Sequence, residues 1–281
     1  MNKIIYFLFT KSLGLYLNLL SFLYPKKASQ LTFMYFSNPR EGKLQKGKLP
    51  LVLQEAKAET FQFNEHSFQT YIWEGNDTKI LLVHGWESNA ARWENLIPYL
   101  KKSGSTIIAI DAPAHGLSSG KEFSIPQYAE FIHKTAEIHQ PQYIIGHSIG
   151  GKTCLYYHYT YPNDSIKKMV ILGAPCDFKI ILSNYVNILN LNSKLAKDLE
   201  NQYINNFKQK LEEFSAQRFV SNSKIEGLIA HDSEDTVVSV NEGKKIAQAW
   251  QNSHFIETKG LGHSLHDDKL YQEVYAFLFN G

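Results

Sequence analysis

From about residue 60 onwards, short apolar runs alternate with stretches of helix length, and this alternation constrains the fold more than any other feature. Each run stays apolar for four or five residues, which is typical of strands covered on both faces. The runs are KILLVHG, STIIAID, QYIIGHS, KKMVILGAP, KIEGLIAHD and HFIETKG. Strands that take turns with helices predict the α/β class, with a mostly parallel central sheet and helices on both of its faces.

One long interval interrupts this rhythm. Residues 177–222 contain no apolar strand run, and their charges and apolar residues are spaced as in helices. An insertion of this length is too long for a simple loop in a compact domain, so we expect a helical lid. The predicted organisation is an apolar helix and basic linker at 1–50, followed by a domain at 51–281 with the lid at about 177–222.

The chain carries a serine bracketed by glycines directly after one predicted strand. The sequence is Gly146, His147, Ser148, Ile149 and Gly150, and a predicted helix follows. A sharp turn from strand to helix needs small residues where the backbone crowds, and it pushes the serine oxygen outward. An N-cap serine would have a similar local pattern. The strand before it and the helix after it favour Ser148 as a nucleophile.

A serine nucleophile needs a base to accept its proton and an acid to orient that base. Both are expected in loops after strands, and the best candidates are His263 in KGLGHSLHDD and Asp235 in AHDSEDTVVS. Asp232 is the competing acid, although we expect it to be solvated or to cap a turn. His266 competes with His263, but its expected place at the start of the last helix favours exposure to water.

Acyl transfer also needs hydrogen-bond donors at the developing oxyanion. The backbone N–H groups of Trp86 and Ile149 are the predicted donors, because both follow strands that end near the serine. Gly85 would let the chain turn closely. His84, Gly85 and His147 are the candidate pocket residues.

Five motifs in this order resemble the α/β-hydrolase superfamily, from about residue 60 to the C-terminus. They are HGW (84–86), DAPAHGLSSG (111–120), GHSIGG (146–151), HDSED (231–235) and GLGH (260–263). Their combination is also similar to a group of bacterial hydrolases without defined substrates. The resemblance implies an α/β-hydrolase fold, the chain order serine, aspartate, histidine, and structural roles for Asp111 and His115.

The resemblance and the residues together predict a serine hydrolase. We expect it to cleave a carboxylic ester or thioester of a small-molecule acyl substrate through an acyl-enzyme intermediate. Two alternatives stay open: an acyltransferase with the same triad, and a non-catalytic binding protein of this fold.

No cofactor or metal is expected. Several histidines lie near predicted strand ends, but they lack the H-x-H-x-D and H-E-x-x-H spacings of metal sites. No zinc-ligand spacing or recognition helix points to nucleic acid. The two cysteines, Cys154 and Cys176, are expected to be reduced and buried, as in a cytoplasmic protein.

The first 25 residues are mostly apolar, and their length suits a spanning helix. On a helix, Lys11, Gly14, Asn18 and Ser21 would form one polar stripe. Residues 1–50 also hold eight Lys or Arg and one acid, Glu41. This favours a contact of residues 4–23 with the inner face of a membrane, although packing on the domain or spanning remain alternatives. A cleaved signal peptide is disfavoured because Lys11 interrupts the apolar run.

Overall fold

The computed structural model describes residues 3–207 and 210–280. Their contacts divide them into two compact units. One comprises the described residues up to Asn38 and those from Asp177 to Ser215, and the other runs from Pro39 to Cys176 and from Ala216 onwards. The predicted boundary at residue 50 and the role of the insertion as a lid stay predictions.

The larger unit is built on an eight-stranded sheet. Its strands are β1 (Lys57–Phe63), β2 (His66–Trp73), β3 (Asn76–Val83), β4 (Ser105–Ile110), β5 (Tyr143–His147), β6 (Lys168–Leu172), β7 (Glu226–Asp232) and β8 (Ser253–Thr258). Their order in the sheet is β1-β2-β4-β3-β5-β6-β7-β8. The first two strands form an antiparallel hairpin, and β2 also runs antiparallel to β4. All other neighbours are parallel. The predicted mostly parallel sheet is confirmed.

Both faces of this sheet are covered. Ile80 and Leu82 of β3 join a core cluster with Leu100 and Val274 from helices on one side. Leu81 lies between them, so it points to the opposite face, and it is equally buried. Burial on both faces is why these strands are continuously apolar.

Seven helices of the larger unit fall within its described residues. They are α3 (Leu51–Gln54), α4 (Ile97–Lys101), α5 (Ile125–His139), α6 (Ile149–Thr160), α9 (Ala216–Val220), α10 (Val240–Ala249) and α11 (Asp268–Phe279). Two 3₁₀ helices, Ala90–Asn95 and Gly262–Ser264, lie in loops that follow strands. The caps are local: the Ser124 side chain accepts from the Gln127 N–H at α5, and Asp267 accepts from the Leu270 N–H at α11.

The smaller unit consists of helices. They are α1 (Lys3–Leu23), α2 (Pro25–Ser37), α7 (Phe178–Leu189) and α8 (Ser193–Phe207). Its core contains Leu17, Ala28, Leu189, Leu191 and Leu195. The N-terminal helix was predicted, but α2 was not. Pro25 begins α2, at a position where its missing N–H leaves no helical bond unmade.

Candidate active site

Ser148 lies at a sharp turn between β5 and α6, with φ 54° and ψ −128°. This is a strained conformation for a residue with a side chain. The turn also requires glycine at its flanks. A Cβ on Gly150 would lie 2.2 Å from the His84 carbonyl oxygen, and one on Gly146 would lie 2.6 Å from the Gly151 Cα. The strained backbone therefore presents the hydroxyl at the end of the strand.

The structure brings Ser148, His263 and Asp235 into one hydrogen-bonded chain. His263 Nε2 is 2.9 Å from Ser148 Oγ, and His263 Nδ1 is 2.7 Å from Asp235 Oδ2. A carboxylate can only accept, so Nδ1 carries the proton that it donates to Asp235. In the neutral ring, Nε2 is then an acceptor that faces the serine hydroxyl.

Asp235 is held by several donors. Its Oδ1 accepts from the N–H groups of Val237 (2.8 Å) and Val238 (2.9 Å), and its Oδ2 lies 3.4 Å from His231 Nε2. Burial raises the pKa of Asp235, but the hydrogen bonds from His231, His263 and the Val238 N–H outweigh burial and leave this pKa below its usual value. The carboxylate is therefore ionised at neutral pH.

Asp232, the competing acid, does not contact His263. Its Oδ2 accepts from the Thr258 hydroxyl (2.8 Å) and the Leu261 N–H (3.0 Å), and its Oδ1 accepts from the Glu234 N–H (2.9 Å). Of the two expectations for Asp232, the bond from the Glu234 N–H confirms that it caps a turn, whereas its full burial shows that a solvated side chain is wrong. Asp232 instead fixes the loop that leads to His263.

The two predicted oxyanion donors lie beside the serine. Ile149 follows it directly, and a Cβ on Gly85 would lie 2.9 Å from Ser148 Cβ, so the chain entering Trp86 passes against the turn. Within the described part of the chain, neither the Trp86 nor the Ile149 N–H has a hydrogen-bond acceptor. The Trp86 ring packs edge-on against His115 and Phe123.

His84 braces the chain beneath the site. Its Nε2 accepts from the Ala112 N–H (3.0 Å), so its Nδ1–H donates to the Gly85 carbonyl (2.7 Å). Burial lowers the pKa of His84 well below its usual value, so the ring is neutral. The expectation that His84 lines the pocket needs correction, because the ring is fully buried and both nitrogens bind backbone.

Asp111 and His115 also bind the loops below the site, as the resemblance implies. Asp111 accepts from the Ala90 and Leu117 N–H groups (2.9 and 3.0 Å), and burial raises its pKa to about 6. His115 Nε2 accepts from the Glu87 N–H (2.9 Å). Burial lowers the pKa of His115 to about 4.

His147 and Arg92 hold the segment that carries the catalytic histidine candidate. His147 Nε2–H donates to the His263 carbonyl (2.8 Å), and burial lowers the pKa of His147 well below its usual value. An Arg92 Nη donates to the Ser264 carbonyl (2.7 Å). Burial lowers the Arg92 pKa to about 10. No sequence pattern indicated the Arg92 contact, because its acceptor is a backbone group 172 residues away.

Residues 3–207 and 210–280 contain no group of three or more His, Cys, Asp or Glu side chains arranged to hold a metal ion. Cys154 and Cys176 are both buried, and they do not form a disulfide with each other. Burial raises the Cys154 pKa, which keeps that thiol protonated.

Comparison with known proteins gives matches to hydrolases. The model of the alpha/beta hydrolase fold family matches residues 79–201. The bifunctional esterase/perhydrolase of Acinetobacter calcoaceticus is 28% identical over 142 residues, which cover 49% of this chain and 51% of that protein. The pimeloyl-[acyl-carrier protein] methyl ester esterase of Neisseria meningitidis is 31% identical over 97 residues, which cover 34% of this chain and 36% of that protein. The chain thus spans about half the length of the first relative and about a third of the second.

A solved structure extends the likeness over more of the chain. The bromoperoxidase of Bacillus anthracis superimposes with a TM-score of 0.62 at 20% identity, covering 79% of this chain and 99% of that one. Identity at this level shows a shared fold alone. The family match over residues 79–201, the strand order and this structural likeness agree, and the chain has the α/β-hydrolase fold.

Proposed function

We propose that the protein is a serine hydrolase that cleaves a carboxylic ester or thioester through an acyl-enzyme intermediate. The observation that carries the proposal is the hydrogen-bonded chain in which His263 lies 2.9 Å from Ser148 Oγ and 2.7 Å from Asp235. A serine hydroxyl becomes nucleophilic when a positioned base takes its proton during attack, and this geometry suits that transfer.

In the first half of the proposed cycle, His263 Nε2 accepts the Ser148 proton while Oγ attacks the substrate carbonyl carbon. The resulting oxyanion accepts hydrogen bonds from the Trp86 and Ile149 N–H groups, which are preorganised for this role. The intermediate collapses, and the leaving alcohol or thiol takes the proton from His263.

In the second half, His263 takes a proton from water, and the hydroxide attacks the acyl carbon. Collapse of the second intermediate returns the proton to Ser148 Oγ and releases the carboxylic acid. Asp235 stays ionised throughout and stabilises the imidazolium that forms twice in the cycle.

The relatives support ester chemistry as the reaction class. One is named an esterase/perhydrolase and another a methyl ester esterase, and a further structural neighbour is a thioesterase domain. Only one of these names states an acyl group, pimeloyl, so the proposal is limited to carboxylic esters and thioesters of small molecules.

The test is hydrolysis of p-nitrophenyl esters of increasing acyl length by the full chain. Ser148→Ala is expected to lose turnover while its circular dichroism and thermal unfolding stay those of the parent. Ser221→Ala is the matched control, because Ser221 is exposed and bonds only within its own turn. It should keep full activity.

Turnover by Ser148→Ala at the parent rate would refute the proposal. Product analysis in the presence of a small alcohol separates hydrolysis from acyl transfer, because only hydrolysis yields the free acid as the main product. Tight binding of an ester without turnover by the parent chain would favour the non-catalytic alternative.

A further inference from the structure

The polar stripe of α1, formed by Lys11, Gly14, Asn18 and Ser21, contacts the C-terminal end of α7 and the turn that follows it. Lys11 Nζ donates to the carbonyls of Asn187 (3.3 Å) and Ile188 (2.9 Å), and Asn18 Nδ2 donates to the carbonyl of Asn190 (2.9 Å). These acceptors lie at the C-terminus of α7, where carbonyls lack helical partners and a positive charge is favourable.

The rest of the stripe fits the turn between α7 and α8. The Asn192 N–H donates to Asn18 Oδ1 (2.8 Å), and Asn192 Nδ2 donates to Ser21 Oγ (3.0 Å). A Cβ on Gly14 would lie 1.7 Å from the Leu189 carbonyl oxygen, so the two backbones are in direct contact. The polar side of α1 is therefore fixed to the folded chain.

A second side of α1, centred about 100° around the helix axis from the polar stripe, is apolar and exposed. We define the apolar face of α1 as Leu8, Leu15, Leu19, Phe22 and Leu23, which are 58%, 60%, 57%, 79% and 75% exposed. These residues recur at three-, four- and seven-residue steps, so they lie on one side of the helix. α1 therefore packs through its polar stripe and through Leu17, which is fully buried, while the residues of the apolar face point outward. Contiguous apolar surface of this kind marks an interaction site.

Charge indicates what covers this face. Residues 3–40 contain five Lys or Arg and no Asp or Glu. Lys26 and Lys27 are exposed and follow the last residue of the apolar face, Leu23, after Tyr24 and Pro25. Apolar side chains flanked by lysines match the surface of a bilayer that contains anionic lipids.

Length and composition alone would also let Ile5–Leu23 cross a bilayer, with a mean hydropathy of 1.3. A crossing helix would have to give up the bonds from Lys11, Asn18 and Ser21 to the α7–α8 turn, or carry that turn into the hydrocarbon. Polar groups without partners are costly there. The geometry favours a helix that lies parallel to the surface.

We propose that the apolar face of α1 inserts into the headgroup region of an anionic phospholipid bilayer, while the polar stripe keeps α1 attached to the α7–α8 turn. The chain would then be a peripheral membrane protein held by one in-plane helix. This inference does not depend on the proposed hydrolase activity.

The test is co-sedimentation of the full chain with two kinds of vesicle, one of phosphatidylcholine and one of phosphatidylcholine and phosphatidylglycerol in equal parts. We expect binding to the mixed vesicles that weakens as salt is raised. Leu19→Ser/Phe22→Ser should weaken binding by about tenfold or more, because two large side chains no longer enter the bilayer. Leu51→Ser/Ile138→Ser is the matched control, since it removes two exposed apolar side chains of the larger unit. It should bind like the parent.

A second pair of variants tests the charge. Lys26→Gln/Lys27→Gln should weaken binding to the mixed vesicles by roughly thirtyfold, from about 1 kcal/mol for each lysine near an anionic surface. Lys101→Gln/Lys102→Gln, an exposed pair at the end of α4, should have no such effect.

Three results would overturn the proposal. The first is an absence of binding to either vesicle by the parent chain. The second is a dimer of the parent that becomes a monomer in Leu19→Ser/Phe22→Ser without vesicle binding, which would assign the face to a second copy. The third is membrane-bound protein that resists extraction at alkaline pH, which would show that α1 spans.

Discussion

Asp235→Asn separates the role of this carboxylate from that of its neighbour Asp232. The variant keeps an oxygen that can accept from the Val237 and Val238 N–H groups, so the loop should stay folded. Its new amide N–H faces His263 Nδ1 and forces that nitrogen to accept. The ring proton then moves to Nε2, where it points at the serine and blocks proton removal.

A histidine held in the wrong tautomer reduces kcat by about 10⁴, or about 5 kcal/mol of transition-state stabilisation. Steady-state hydrolysis of p-nitrophenyl butyrate measures this loss, which should fall on kcat with little change in KM. The midpoint of thermal unfolding should stay close to that of the parent.

Asp232→Asn is the matched control, with the opposite expectation. Whichever oxygen becomes the amide NH2 then faces a backbone N–H, so the bond from either Leu261 or Glu234 is lost, which should lower the free energy of unfolding by about 1–3 kcal/mol. Its kcat should stay within about tenfold of the parent, because His263 keeps its partner. A larger loss of kcat in Asp232→Asn than in Asp235→Asn would refute the assignment of the acid.

Three further predictions concern stability. Gly14→Ala should lower the free energy of unfolding, measured in urea, by about 2 kcal/mol or more, because the added Cβ would clash with the Leu189 carbonyl oxygen even though alanine normally favours a helix. The control Ser12→Ala, at an exposed position of the same helix, should be neutral or stabilising. A stabilised Gly14→Ala would contradict the packing of α1 on Leu189. Ser148→Gly should be about 1 kcal/mol more stable than Ser148→Ala, because only glycine adopts the backbone conformation of residue 148 without strain. Equal midpoints of thermal unfolding for the two variants would argue against strain at this position. Because the pKa of His115 is lowered, the folded chain binds fewer protons than the unfolded chain between about pH 6.5 and 4, so the free energy of unfolding falls as the pH falls through this window. Between pH 7 and pH 4, the free energy of unfolding of His115→Asn should therefore fall by about 3 kcal/mol less than that of the parent, and parallel pH profiles would contradict this.

The inner parallel strands could be predicted because burial on both faces leaves a direct mark on the sequence, whereas the edge strand β1 is largely exposed and lacks that mark. Ser148, Asp235 and His263 could be chosen for a related reason: side chains that follow parallel strands meet at one edge of the sheet. Their order along the chain, serine, aspartate and then histidine, also matched the order found in α/β-hydrolases. Asp232 does cap its own turn, as expected, but its burial was missed because the Thr258 and Leu261 groups that also bond to it lie in another part of the chain, which no local pattern reveals.

The contacts of α1 show the other limit of prediction from sequence. Its polar stripe was visible as a spacing, yet the turn that it binds lies more than 160 residues away. In the same way, the partners of His84 and His147 are carbonyl and N–H groups, which every residue carries. Side chains that bind backbone therefore leave little trace of where they will bind.

Labelling with a fluorophosphonate tests the central claim most directly, because this probe reacts with a serine only when a base activates it. Mass spectrometry of the labelled chain should find the phosphonyl group on Ser148, with labelling abolished in Ser148→Ala and strongly slowed in His263→Ala. An unlabelled parent chain, or a label on another residue that persists in Ser148→Ala, would contradict the claim that Ser148, His263 and Asp235 form a working nucleophile.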